Sequence, residues 1–227
     1  MSMIYDRSTE LLRGLYDRRL ATPAVLDTAT HFPAARQFAD HWEALRVESL
    51  RIARDIKKVP LFHELMEEQA DISAQDDRDW RMFVLKAYGI PATANMNRCP
   101  TLATLVANSP EVLSAAFSFL APHKHIPQHR GPFRGVLRFY LGLSVPAAED
   151  GTPSTRLTID GIEHRIGNGE YLLWDDTFPH EVRNNSDELR IALLLDIRRR
   201  GLPLHLALLS NLIIKLIGTT IRVRGII

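Results

Sequence analysis

Apolar and polar residues follow three different rhythms along this chain. Across residues 34–58 the apolar side chains Phe38, Trp42, Leu45, Leu50, Ile52 and Ile56 recur at roughly helical spacing. The stretch 1–75 as a whole is rich in charge and helix formers, and it predicts two or three amphipathic helices. From Trp80 to Arg198 short apolar runs are interrupted at close intervals by Pro, Gly, Asn and Asp. Strands are predicted over 82–88, 115–120, 136–143, 156–159, 163–166, 171–174, 180–183 and 189–197. Many short strands with turn residues between them point to a sandwich or barrel. Asp160-Gly161 predicts a two-residue hairpin loop, and Asn184-Asn185-Ser186-Asp187 a longer turn. The expected organisation is a helical region over 1–75 packed on the core, a β domain over 76–198, and an apolar helix or tail over 199–227.

The third rhythm is the C-terminal one. Residues 202–217 are nearly all apolar, broken by His205, Ser210, Asn211 and Lys215. Arg198-Arg199-Arg200 precede them, and Arg222 and Arg224 follow. A helix over these sixteen residues is about 24 Å long, short of the ~20 residues that a membrane span needs. Two readings stand side by side: a helix lying at a bilayer surface with basic flanks on anionic lipid, or a core or dimer helix.

A length of 227 residues suits one domain with a small appendage. The net charge of +1 gives no basic field of the kind that nucleic acid attracts. Cys99 is the single cysteine, which excludes an intramolecular disulfide and a cysteine-based zinc site. The N-terminal stretch MSMIYDRSTELLRGLYDRRL is charged throughout and lacks the apolar segment of a signal peptide. The expected setting is cytoplasmic, at most peripheral to the inner face of a membrane.

Candidate chemistry gathers in two places. His123, His125 and His129 lie in APHKHIPQHRGP, which falls between two predicted strands and is expected to be a loop at a barrel rim. His180 opens a predicted strand after the turn in GEYLLWDDTFPHEVRN. Neutral imidazole is the commonest protein ligand for iron and zinc, and strands distant in sequence meet in a barrel. Arg190 sits ten residues after His180 in an otherwise apolar strand. A buried guanidinium needs a partner, and a carboxylate meets it with two prongs. That carboxylate is either a cosubstrate's or the side chain of Asp175 or Asp176. Arg138 and Tyr140 share one face of the 136–143 strand, with Leu137, Phe139 and Leu141 on the other.

Two stretches, PHKHIPQHRGPFRGVLRFYLGLSVP and GNGEYLLWDDTFPHEVRNNSDELRIALLLDI, resemble the aspartyl/asparaginyl β-hydroxylase family, which includes bacterial lipid hydroxylases. The likeness is strong over about a third of the chain, from Ser118 to Asp196, and weaker upstream around Trp80–Tyr88 and Arg98-Cys99-Pro100. It implies a double-stranded β-helix of the jelly-roll, cupin-like kind that uses Fe(II), 2-oxoglutarate as cosubstrate, and dioxygen. By position, His129 and His180 match the two iron ligands, and Arg190 matches the grip on the far carboxylate of 2-oxoglutarate. Ser118 and Arg138 match residues lining the cosubstrate pocket. Tyr140 stands where the family often has histidine, and a phenol also donates a hydrogen bond. Most oxygenases of the wider class carry a carboxylate two residues after the first histidine. This chain has Gly131 there, as the resembling family implies, so that water fills the position and Asp175 or Asp176 is expected to bond that shell.

The resemblance leads to a dioxygenase that hydroxylates an unactivated carbon. The substrate is either Asp or Asn of a peptide or small molecule, or the acyl chain of a membrane lipid. The rival reading is a cupin-like metal- or ligand-binding protein without oxygenase activity, with His123 and His125 as further ligands.

Overall fold

The computed structural model describes residues 3–224, with side chains from residue 7 to residue 222; the last three residues of the expected C-terminal stretch lie outside it. Ten strands form: β1 (Trp80–Ala87), β2 (Ile90–Pro91), β3 (Val112–Leu120), β4 (His125–His129), β5 (Val136–Ser144), β6 (Thr155–Ile159), β7 (Ile162–His164), β8 (Tyr171–Trp174), β9 (His180–Asn184) and β10 (Arg190–Arg198). They build two antiparallel sheets, ordered β2-β1-β3-β10-β5-β8 and β4-β9-β6-β7. Tyr140, Trp174 and Ala192 of the larger sheet pack against Leu157 and Ile159 of the smaller, so the two sheets face each other. This is the expected double-stranded β-helix, mainly β with flanking helices.

Strand alternation sorts the side chains of the large sheet. Along β10, Ile191, Leu193, Leu195 and Ile197 enter the main core, while Ala192 and Leu194 face the small sheet. The main core is closed by α3 (Ala35–Asp40), α4 (Trp42–Ala53) and α7 (Pro100–Ala107), which contribute Phe38, Leu45, Ile52, Leu102 and Val106; the single turn α2 (Thr28–His31) precedes them and buries no side chain. Glu48 of α4 accepts the backbone N–H groups of Thr101 and Leu102 at 2.6 and 3.2 Å, supplying the first turn of α7 with a cap from another helix. Helix α1 (Met3–Asp17) packs elsewhere, beside the C-terminal helix α8 (Leu204–Arg224). The described residues also form two further single turns, α5 (Phe62–Leu65) and α6 (Thr93–Met96), and 3-10 turns at Ile56–Lys58 and Glu67–Ile72.

Each of the eight runs predicted as strands overlaps a strand; the 171–174 run matches β8 at both ends and the others differ at one or both ends. The rim loop expected around His125–His129 is instead β4. Its period-2 signal is weak because β4 is an edge strand with Pro127 in it, where a missing N–H costs no ladder bond. The helical signal of 34–58 divides at His41 into α3 and α4, so the N-terminal region has more and shorter helices than expected. Helix α8 has 21 residues rather than the expected sixteen. In its polar end the Thr219 and Thr220 hydroxyls find partners within the helix, donating to the carbonyls of Lys215 and Leu216. The Asp160-Gly161 loop joins β6 to β7 with φ of +50° and +81°, the geometry of a two-residue hairpin turn.

Candidate functional site

The two histidines meet through strand register. His129 ends β4, His180 begins β9, and the two are direct partners across the antiparallel pair. Their ring centroids are 4.1 Å apart. Each Nδ1 lies against a backbone carbonyl two residues earlier, Pro127 at 2.8 Å and Phe178 at 2.9 Å. A carbonyl can only accept, so each Nδ1 carries the hydrogen and each Nε2 of the neutral ring keeps its lone pair. Burial lowers the His129 pKa to about 4, against the pull of the Pro127 carbonyl, with the Arg138 charge adding to the fall. Burial and the neighbouring His129 push His180 well below the ordinary imidazole range. Both rings are thus held neutral, as metal ligation requires.

Arg190 opens β10 on the face turned to the small sheet and is 2 % exposed. One terminal nitrogen reaches the Ser118 hydroxyl at 3.4 Å, and the guanidinium lies 5.8 Å from the centre of the Tyr140 ring. Its Nε is buried with no hydrogen-bond partner, and no carboxylate pairs with the group among the described residues. The side-chain partners that the sequence offered are occupied. Asp175 is bound by Arg134 at 2.8 Å and Arg199 at 2.6 Å, and Asp176 lies 3.4 Å from Arg138. Burial accordingly lowers the Arg190 pKa. A buried guanidinium without a counter-ion is costly, and an anion from outside would relieve it. Ser118 also accepts from the Trp80 indole N–H at 3.1 Å, which fixes its hydroxyl.

A cavity of about 200 Å³ opens beside His129. Arg138 and Asp176 form its polar end, and Phe62, Met82 and Val84 line its apolar walls. Trp80, stacked on Phe62 with ring centroids 3.8 Å apart, is a wall of the same cavity and reaches Ser118 with its indole. Arg138 is not grouped with Ser118 and Arg190. It binds Asp196, its register partner on β10, at 3.0 and 2.9 Å, and these carboxylates hold its pKa above the usual range despite burial. Burial raises the Asp176 pKa to about 7, with Arg138 opposing the shift. A Cβ at Gly131 would overlap the Asp176 carboxylate, and the Gly131 N–H donates to the Asp176 carbonyl at 2.7 Å. The position two residues after His129 thus has no room for a side chain of its own.

Asp175 is bound by Arg134, Arg199 and the Thr177 hydroxyl, whereas Asp176 lines the cavity that His129 also lines. His123 and His125 turn to Asp187 and Glu181, at 2.7 and 2.8 Å. No set of three His, Cys, Asp or Glu side chains converges among the described residues. Sequence reasoning missed Asp196 and Trp80. Asp196 was visible in principle: it keeps the same parity as Arg190 in a strand whose other residues on that face are Ala192 and Leu194.

The residues fit Fe(II) with 2-oxoglutarate: two neutral imidazoles stand side by side with their Nδ1 atoms engaged, and a buried cation on the facing sheet lacks an anion. The model of the family described as aspartyl/asparaginyl beta-hydroxylase matches residues 39–200. The chain belongs to this family. It is 34 % identical over 178 residues to an ornithine lipid ester-linked acyl 2-hydroxylase of Rhizobium tropici, covering 78 % of this chain and 61 % of that protein. It is 26 % identical to the human aspartyl/asparaginyl beta-hydroxylase, covering 88 % of this chain and 26 % of that protein. The chain therefore spans less than two thirds of the length of either relative. Among solved structures, a Pseudomonas putida prolyl-4-hydroxylase is similar with a TM-score of 0.44 at 20 % identity, covering 72 % of this chain and 88 % of that one.

Proposed function

We propose that this chain is a 2-oxoglutarate-dependent hydroxylase whose iron is held by the Nε2 atoms of His129 and His180. The observation that carries the reading is a buried Arg190 without a counter-ion, on the face of the large sheet turned to the small sheet whose strands bring two imidazoles side by side. Arg190, with the Ser118 hydroxyl, receives the far carboxylate of 2-oxoglutarate, and the Tyr140 ring forms a face of that pocket. Iron with 2-oxoglutarate and dioxygen supplies the oxidation: the cosubstrate becomes succinate and carbon dioxide, and the second oxygen atom becomes a hydroxyl on an unactivated substrate carbon. The carbonyls of Pro127 and Phe178 fix both ring tautomers, so the ligands are oriented before metal arrives. Asp176, beside Gly131 in the cavity that His129 lines, would accept a hydrogen bond from water bound to the metal. Arg138, neutralised by Asp196 and Asp176, closes the polar end of the substrate cavity.

The substrate is an aspartyl or asparaginyl side chain or the acyl chain of a membrane lipid. The mainly apolar cavity wall favours the acyl chain. Purified protein given Fe(II), 2-oxoglutarate and ascorbate should form succinate slowly even without substrate. Arg190→Ala should lose 2-oxoglutarate binding by calorimetry while binding Mn(II) as the wild type does. Metal binding without any succinate formation would favour the cupin-like binding protein and overturn the proposal. Mass spectrometry of lipid and peptide candidates, seeking a gain of one oxygen that depends on 2-oxoglutarate, decides the substrate.

A further inference from the structure

We infer that α8, lying flat along the molecule, docks this protein on an anionic lipid bilayer. Leu204, Leu208, Leu212 and Leu216 are 76, 61, 54 and 57 % exposed. Their four-residue spacing places them in one stripe down the solvent side of the helix. Among the other exposed large apolar residues, Met66, Ile162 and Tyr171 stand singly, while Val47 and Leu50 form a pair on α4. Single exposed apolar residues are ordinary, but a stripe along roughly three turns is a contact surface.

Charge complementarity selects the occupant. The sequence has no acidic residue after Asp196, whereas Arg200, Lys215 and Arg222 are exposed. Lys215 follows Leu212 by three residues on the same side of the helix, so its stem can lie along the apolar layer while its ammonium reaches phosphate. Helix α1 beside it adds exposed Leu11, Leu15 and Arg7, and Arg18 and Arg19 are exposed just after it, against exposed Glu10 and Asp17. Leucines alone would suit a second copy of the chain, but two such copies would bring their basic side chains together.

The opposite side of α8 shows that it lies on the membrane and does not cross it. Leu206, Ser210, Ile214 and Gly218 are buried along its length. Leu206 and Ile214 pack with Tyr16, Phe133 and Val136, and the Tyr16 hydroxyl meets the Ser210 hydroxyl at 2.7 Å. At Gly218 a Cβ would stand 2.8 Å from the Tyr88 carbonyl, so the helix is pressed onto the β1–β2 turn. The helix is long and apolar enough to span a bilayer, but a span would strip off this whole seam. The surface also reaches the site: Ile221 and Tyr88 line the cavity that contains His129. Docking on α8 would bring the cavity next to the acyl layer.

The test is flotation of the full chain with vesicles of phosphatidylcholine alone or mixed with phosphatidylglycerol, which needs no turnover and so fails or succeeds apart from the hydroxylase reading. Wild type should float with the anionic vesicles, and salt should weaken this. The Leu208→Asp/Leu212→Asp variant should bind at least about tenfold more weakly. Ile162→Asp, exposed but elsewhere, should bind as wild type. Lys215→Glu/Arg222→Glu keeps the leucines and should lose the preference for anionic lipid. Circular dichroism confirms that each variant is folded. Absence of wild-type binding, or equal binding by the leucine variant, overturns the inference. A wild-type dimer that the leucine substitutions dissociate would assign the surface to a second copy and overturn it as well.

Discussion

Arg190 is the residue whose surroundings are least balanced. Its guanidinium is buried, one nitrogen is 3.4 Å from Ser118, and its Nε bonds nothing. Such a charge weakens the protein until an anion arrives. Arg190→Met keeps much of the volume and removes the charge. It should stabilise the protein without cosubstrate by about 1–3 kcal/mol in urea unfolding. The same variant should lose the rise in melting temperature that 2-oxoglutarate gives the wild type in the presence of Mn(II). A variant less stable than wild type would show that Arg190 is already satisfied. Cys99 presents the opposite case. It is fully buried, and burial with Glu48 nearby raises its thiol to about 12. A thiol reagent at about pH 8 should leave it untouched in the native protein and titrate it after denaturation.

Among the elements, β9 shows how one side chain holds several strands in place. The two hydrogens of the Asn184 side-chain amide are shared among the carbonyls of Leu120, Ala121 and Glu188, and the Asn184 backbone N–H donates to the Lys124 carbonyl at 3.0 Å. It therefore ties the end of β9 to the end of β3 and to the approach to β10. The first residue of that last strand is Arg190, so Asn184 helps to set its position. Asn184→Ala leaves buried carbonyls without a donor and should cost about 2–3 kcal/mol in urea unfolding. A loss under about 0.5 kcal/mol would show that water replaces the amide. The β6–β7 hairpin is set more locally. Asp160 and Gly161 both adopt positive φ, and Gly161 at +81° has no steric barrier there. Gly161→Val should cost about 1–2 kcal/mol in urea unfolding, and since a Cβ there meets nothing within 4 Å the cost lies in the backbone.

On the scale of the whole molecule, a buried ionic cluster connects both ends of the chain to the barrel. Asp175 accepts from Arg134 and Arg199, and Arg134 also reaches Asp17 at the end of α1. Arg199 lies just before α8, and both arginines reach the Thr22 hydroxyl. Asp175→Asn leaves two buried guanidinium groups facing a neutral amide and should cost about 3–5 kcal/mol. Hydrogen exchange should then rise in α1 and at the start of α8 before it rises in the strands. Uniform loss of protection would show that the cluster belongs to the core as a whole.

The amino-acid sequence by itself determined the local features: the eight apolar runs that hold strands, the Asp160-Gly161 turn, and the face on which each strand residue lies. These follow from interactions within a few residues, where period 2, positive φ and the size of the side chain suffice. Arg190 was legible as a charge in an apolar strand for the same reason. Only the tertiary structure decided which carboxylates were already taken, because Asp175, Asp176 and Asp196 find their arginines across strands and not along them. It also decided that β4 pairs with β9 so that two rings 51 residues apart stand side by side, and that α8 buries one side and exposes the other. Register and packing fix those matters through contacts distant in sequence, and a pattern of neighbouring residues carries no record of them.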